Sequence, residues 1–172
     1  MLDFSTDIGV LNYAYALEQL EAAFYMTVVY HPYHNMPHQE LRLLTDVRDH
    51  EIVHRDFLKA ALGAQAIPGL TPLLGPIDFQ SRTEVLTAAK TFEDLGVAAY
   101  NGAAKYLASD VYLGIAGKIV SVEARHAAAI RDLLMPRTGS FAPKAFDDAF
   151  APTAVIAAAQ TYIAEKITVV NS

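Results

Sequence analysis

The segments His50-Glu51-Ile-Val-His54 and Val122-Glu123-Ala-Arg-His126 carry the same Glu-x-x-His motif 72 positions apart, and together they decide the fold. Each motif lies in an amphipathic stretch typical of a helix. About thirty residues before each motif stands a Glu-x6-Tyr pair, Glu18 with Tyr25 and Glu93 with Tyr100, and these two pairs are offset by 75 positions. The chain therefore repeats a pattern of carboxylates and imidazoles as well as one of apolar residues.

A repeat of this kind predicts a metal centre. Two metal ions are held in a helical bundle by one carboxylate from each of two helices and by a carboxylate and an imidazole, at positions i and i+3, from each of two others. From Ile8 to Tyr30 the only charged residues are Glu18 and Glu21, and carboxylates are costly to bury unpaired. Two divalent cations would balance four such charges. The predicted metal ligands are Glu18, Glu51, His54, Glu93, Glu123 and His126.

Length and composition exclude several classes of protein. With 172 residues we expect one domain over 1–172, a four-helix bundle at 6–135 followed by a C-terminal extension at 136–172. The longest uncharged run, 60–77, contains three prolines, so we expect no membrane-spanning helix. A net charge of −6 without a basic stretch predicts no nucleic-acid partner. No signal peptide is recognisable, which predicts a cytoplasmic protein, and the absence of cysteine excludes thiolate chemistry.

Apolar periodicity predicts five helices and no sheet. Their expected ranges are about 6–30, 38–62, 81–107, 110–135 and 153–166. Gly63 is placed as a C-cap, Ser81-Arg-Thr-Glu84 forms a capping box, and Pro136 stops the fourth helix.

The connections between the helices predict the topology. Short loops join the first helix to the second and the third to the fourth, as in hairpins. The link 63–80 can span roughly 55 Å when extended, against roughly 37 Å for a 25-residue helix, so it can return along the bundle. We therefore predict an all-α four-helix bundle with a long crossover between helices 2 and 3 and a C-terminal fifth helix. That last helix would cap the bundle or build the interface of a homodimer or higher homo-oligomer.

Four segments, 18–25, 51–54, 93–100 and 123–126, resemble the ligand helices of ferritin-like di-iron proteins, rubrerythrin among them. The stretch 11–25 is also similar to the opening of the bacterial and plant desiccation-related ferritin-like family. The resemblance covers 6–135 and implies two iron or manganese ions bound by the six ligands, with Glu51 and Glu123 as candidate bridges. It implies oxygen or peroxide as substrate and a di-metal oxidoreductase of the ferroxidase, peroxidase or catalase type. Tyr25 and Tyr100 would either hydrogen-bond ligand carboxylates or be ordinary core aromatics.

Departures from the family pattern leave alternatives open. Because the chain has no cysteine, it lacks the cysteine-ligated iron through which rubrerythrins pass electrons, and turnover would need an outside reductant. A metal-sequestering or stress protein, related to desiccation and without catalysis, is the alternative, as is a site decayed into a structural ion pair. Glu21 has no counterpart in the second copy, where Gly96 stands. It is an additional candidate ligand, as a fifth carboxylate or in place of Glu18.

A competing motif overlaps the same residues. His50-Glu51-Ile-Val-His54 matches the His-Glu-x-x-His of zinc metallopeptidases, a remote alternative that Val122 in the second copy disfavours. His50 is rotated about 100° from Glu51 around the helix, so we expect it to point away from Glu51 and His54 and its loss to alter metal binding little. Three further histidines lie in the first loop, where they would form a surface metal site or remain solvated: His31, His34 and His38.

Overall fold

The computed structural model describes all 172 residues, and five α-helices make up most of it. They are α1 (Asp7–Tyr30), α2 (His38–Leu62), α3 (Arg82–Ala103), α4 (Asp110–Leu134) and α5 (Pro152–Ala159). Short 3-10 turns follow α2, α3 and α5. Helix α1 packs along α2, and α3 along α4, so the chain forms two helical hairpins that face each other. The predicted helical bundle with a C-terminal helix is confirmed.

Three of the four long helices, α1, α3 and α4, begin after residues whose side chains cap them. Thr6 accepts a hydrogen bond from the Gly9 N–H at 3.2 Å, and Ser81 accepts one from the Glu84 N–H at 3.3 Å. Only this half of the predicted capping box forms. The Glu84 carboxylate instead accepts from the Asp78 N–H at 3.0 Å, because the Ser81 N–H already donates to the Asp78 carbonyl. Gly63, at φ +54°, ends α2 in the left-handed region, as predicted.

The crossover between α2 and α3 runs beside α1 and is attached to it by side chains. Asn12 accepts from the Ile67 N–H at 2.7 Å and donates to the Gln65 carbonyl at 2.9 Å. Further along, Gln19 accepts from the Leu70 N–H at 2.9 Å. These bonds satisfy backbone groups that the irregular segment would otherwise leave unpaired, and they keep it in place along the bundle.

The C-terminal region differs from its prediction in two ways. Helix α5 ends at Ala159 and continues as a 3-10 turn to Tyr162, well short of residue 166, because the Gln160 amide donates to the Ile163 and Glu165 carbonyls and so turns the chain. The expected absence of a sheet is also wrong, since β1 (Leu2–Asp3) and β2 (Val169–Val170) pair in parallel. Such pairing between chain ends leaves no local periodicity to detect.

The core extends from the bundle to the C-terminal helix. Val155, Ile156 and Ala159 of α5 are buried in the same apolar cluster as residues of α1 and α3. Close approach of the segment before α5 requires Gly102, because a Cβ there would lie 1.8 Å from the Phe150 carbonyl oxygen. No helix is both long and apolar enough to cross a membrane.

Candidate metal centre

Four carboxylates and two imidazoles meet in the middle of the bundle. Glu18 comes from α1, Glu51 and His54 from α2, Glu93 from α3, and Glu123 and His126 from α4. The four carboxylate residues are 0 % exposed, and the two histidines are 8 % and 5 % exposed. Charged groups are almost never buried to this extent unless they are paired. The charges of these buried groups must therefore be balanced within the cluster itself.

Within the cluster, ligand atoms fall into two overlapping groups, each spread over no more than 4.8 Å. One group consists of Glu18, Glu51, His54 and Glu123. The other consists of Glu51, Glu93, Glu123 and His126. Glu51 and Glu123 belong to both groups, so the two residues lie where bridges between two cations would have to lie. Each group offers three carboxylates and one imidazole.

The polar atoms of this cluster approach one another without satisfying one another. His54 Nδ1 lies 3.0 Å from Glu123 Oε1, and His126 Nδ1 lies 2.9 Å from Glu51 Oε1. These distances permit electrostatic attraction, yet the angles do not make hydrogen bonds, and all four atoms lack a hydrogen-bond partner. Ring nitrogens and carboxylate oxygens that lie this close without hydrogen bonds between them are placed to bind a common cation.

Two tyrosines support the outer carboxylates, each reaching across to the opposite hairpin. Tyr100 of α3 donates its hydroxyl hydrogen to Glu18 Oε1 at 2.5 Å. Tyr25 of α1 donates in the same way to Glu93 Oε1. Hydrogen bonds of this type orient a carboxylate and leave its other oxygen available. In both glutamates that other oxygen, Oε2, is the one without a partner.

In the metal-free protein the carboxylates of this cluster differ in how readily they ionise. Burial, with the charge of Glu51 nearby, raises the pKa of Glu18 to about 8. Burial likewise raises the pKa of Glu123 well above its usual value, and repulsion from Glu51 adds to the effect. Burial acts on Glu51 too, but the close imidazoles of His126 and His54 outweigh it and lower the pKa of Glu51 to about 2.

Both imidazoles hold protons strongly when no metal is present. Burial alone would lower the pKa of His54, but the carboxylates of Glu123, Glu18 and Glu51 raise it to about 12. The same balance, with Glu51 and Glu93 as neighbours, raises the pKa of His126 to about 10. Protons thus supply part of the positive charge that the cluster needs.

The donor set fits divalent cations. Carboxylate with a little imidazole suits iron and manganese, and thiolates that would favour zinc are absent. Two atoms bound at about 2.1 Å to one cation lie no more than about 4.2 Å apart, close to the observed spread. No lysine or arginine forms an ion pair with these four glutamates. Arg82, for example, pairs with Glu40 at 2.7 Å. Six buried ligand residues without a basic partner could therefore hold metal.

Glu21 occupies the space that Gly96 leaves open. The Glu21 carboxylate is buried and belongs to neither ligand group. A Cβ at Gly96 would lie 3.0 Å from Glu21 Oε1 and 3.2 Å from Glu123 Oε2. The second copy of the repeat therefore has glycine at this position, because the Glu21 carboxylate of the first copy occupies the space that a side chain at Gly96 would need. Burial, reinforced by the charges of Glu123 and Glu51, raises the pKa of Glu21 well above its usual value.

Replacement of Glu21 by glutamine is expected to leave both metals in place. Because burial raises the pKa of Glu21 and so favours its neutral form in the metal-free protein, the amide is a near-isostere. We expect the free energy of unfolding without metal to change by less than about 1 kcal/mol. Metal analysis of reconstituted Glu21→Gln checks the stoichiometry, and loss of one ion would instead make Glu21 a ligand.

His50 is the residue for which the sequence argument was incomplete. As expected, it lies outside both ligand groups. However, its Nδ1 is 2.9 Å from His126 Nε2, and the two ring planes are nearly parallel, with centroids 5.1 Å apart. The rotation that takes His50 away from Glu51 brings it to α4, and only the position of α4 reveals this contact. The three loop histidines, by contrast, belong to no group of potential metal ligands.

Comparison with known proteins agrees with this geometry. No curated protein matches the chain. The family model of the ferritin-like domain matches residues 6–136, which is 131 of the 172 residues. The matched region contains α1 to α4 and every residue of both ligand groups. This protein therefore belongs to the ferritin-like domain family.

Proposed function

We propose that the protein binds two iron or manganese ions in the bundle core and uses them for redox chemistry with oxygen or peroxide. The observation that carries the proposal is the pair of buried ligand groups that share Glu51 and Glu123. Six ligands would hold the ions: Glu18, Glu51, His54, Glu93, Glu123 and His126. When bound, the ions supply electron transfer, which none of these side chains can perform alone.

The residues around the ions would orient the ligands, exclude water and keep the two ions close together. Tyr100 and Tyr25 orient Glu18 and Glu93 by hydrogen bonds, so that one oxygen of each faces the ions. Apolar side chains exclude bulk water, which strengthens the attraction between carboxylates and cations. Glu51 and Glu123, lying between the two positions, would keep the ions close enough to react with the same small molecule.

An apolar cavity of about 20 Å³ supports oxygen as a reactant. It lies between α1, α2, α3 and α4, and Tyr100, whose hydroxyl bonds Glu18, forms part of its wall. All fifteen residues that line it are hydrophobic. Its volume accommodates one molecule about as small as water, and its lining favours a neutral apolar molecule over an ion.

The zinc peptidase alternative finds no support in the geometry. Such a site needs His50 and His54 as ligands of one ion. Neither ligand group contains His50, whose ring nitrogen contacts His126 instead. The carboxylates Glu93 and Glu123 would also have no role in a peptidase site.

Reconstitution followed by turnover assays tests the proposal. Anaerobic addition of Fe²⁺ or Mn²⁺ and removal of free ions should leave close to two ions per chain. Oxygen or peroxide consumption with an added reductant then separates catalysis from sequestration, because a storage protein would bind the ions without sustained consumption. Protein that retains no metal, and whose melting temperature metal does not change, would refute the metal centre.

Metal binding is expected to release protons at pH 7. The cation needs ionised Glu18 and free Nδ1 lone pairs, yet pKa values of about 8, 12 and 10 keep Glu18, His54 and His126 protonated before binding. Affinity should therefore rise as pH increases towards 8 and fall as it decreases. Calorimetric titration in buffers of different ionisation enthalpy should show release of about three protons per chain. Binding without proton release would contradict these protonation states.

A further inference from the structure

The two imidazoles of the metal centre have different outer neighbours. His126 Nε2 lies 2.9 Å from His50 Nδ1, with the ring planes only 9° apart. No protein atom forms a hydrogen bond with His54. The difference originates in the repeat, because the residue before Glu51 is His50 and the residue before Glu123 is Val122, which can neither donate nor accept.

The contact with His50 places a hydrogen-bond partner at the outer nitrogen of His126. His126 Nδ1 faces Glu51 at 2.9 Å and Glu93 at 3.3 Å, so a cation in that group would take the Nδ1 lone pair. A neutral imidazole has one protonated nitrogen, which is then Nε2. Nε2–H would donate to His50 Nδ1 and fix the ring with Nδ1 towards the cation. An outer hydrogen bond of this kind also makes the ligand more basic.

In other respects the two positions are closely matched. Each ligand group has three carboxylates and one imidazole, and the groups share Glu51 and Glu123. In each group the remaining glutamate accepts a hydrogen bond from a tyrosine of the opposite hairpin. Glu21 breaks the symmetry as well, but its carboxylate lies near that of the shared Glu123, on the same side as Gly96, and is the same in every His50 variant.

We propose that His50 is a positioning residue that makes the two metal positions unequal, so that the position beside His126 binds its ion more tightly and fills first. The inference rests on the proposed di-metal site and adds an order of filling to it. His50 itself touches no ion. It acts through the orientation and donor strength of His126, and His54 has no equivalent support.

Titration with Mn²⁺ tests this inference, with electron paramagnetic resonance reporting the free ion. Wild type should bind two ions with distinct affinities. His50→Leu should weaken the tighter one by about tenfold to a hundredfold and bring the two affinities together. His50→Asn, whose Oδ1 can accept from His126 Nε2, should restore most of the difference. His38→Leu, at the exposed first residue of α2, is the control for loss of a histidine.

The second copy of the repeat provides the reciprocal variant. Val122→His places an imidazole at the position equivalent to His50 and should raise the weaker affinity towards the stronger. The inference is overturned if His50→Leu retains two distinct affinities, or if His50→Asn binds as weakly as His50→Leu, since packing alone would then explain the effect. If wild type binds no Mn²⁺, the proposed function is overturned. If wild type binds two ions and the His50 variants bind them with the same affinities, this inference alone is overturned.

Discussion

Glu123→Ala is expected to lose at least one of the two metal ions and to reduce the metal-dependent part of the stability. Glu123 belongs to both ligand groups, so its removal takes an oxygen from each position at once. It is also 0 % exposed, so water cannot easily take over its role. In wild type, metal at a hundredfold excess over its dissociation constant should add about 2.7 kcal/mol to the free energy of unfolding.

Thermal melting with and without chelator measures this difference. Wild type should melt at a lower temperature after chelation, and for Glu123→Ala the difference between the two conditions should be clearly smaller. Glu84→Ala is the matched control, because Glu84 lies exposed in the first turn of α3 and belongs to neither group. Glu123→Ala protein that still holds two ions and gains the full stabilisation would remove Glu123 from the site.

His126→Ala is expected to weaken metal binding by at least tenfold to a hundredfold. Changes in residues that only support a ligand have effects of that size, and His126 would itself be a ligand. Its Nδ1 has no hydrogen-bond partner and faces Glu51 and Glu93, so no other atom replaces it. His50→Ala should have the smaller effect, because His50 lies outside both groups and acts only through His126. The contact with His126 nevertheless replaces the near-absence of effect expected from the sequence with a loss confined to the position beside His126.

Comparison of these two variants separates the metal chemistries. In a zinc peptidase His50 would be a ligand and His126, more than seventy residues further on, would be dispensable. Equilibrium titration of both proteins with the same metal therefore gives opposite rankings for the two functions. Far-ultraviolet circular dichroism establishes that His126→Ala is still folded before its affinity is interpreted. If His50→Ala loses metal affinity and His126→Ala keeps it, the ferritin-like centre is rejected in favour of the peptidase.

The helices could be predicted because their signals are local. Apolar periodicity, Thr6 and Ser81 as caps and Gly63 as a stop all act within a few residues of the structure that they specify. The end of α5 was missed because Gln160, which turns the chain, resembles an ordinary helical residue in sequence. The pairing of β1 with β2 was missed because it joins residues more than 160 positions apart.

By itself the sequence determined the helical bundle, its crossover and the six candidate ligands, since a repeat of chemistry at helical spacing needs no knowledge of distant contacts. Only the tertiary structure decided how those candidate ligands are grouped, that Tyr25 and Tyr100 each bond a glutamate of the opposite hairpin, and that His50 contacts His126. It also showed that Glu21 fills the space above Gly96. The physical reason is that such contacts depend on how two helices are rotated and offset against each other, and this depends on the packing of the whole core rather than on either helix alone.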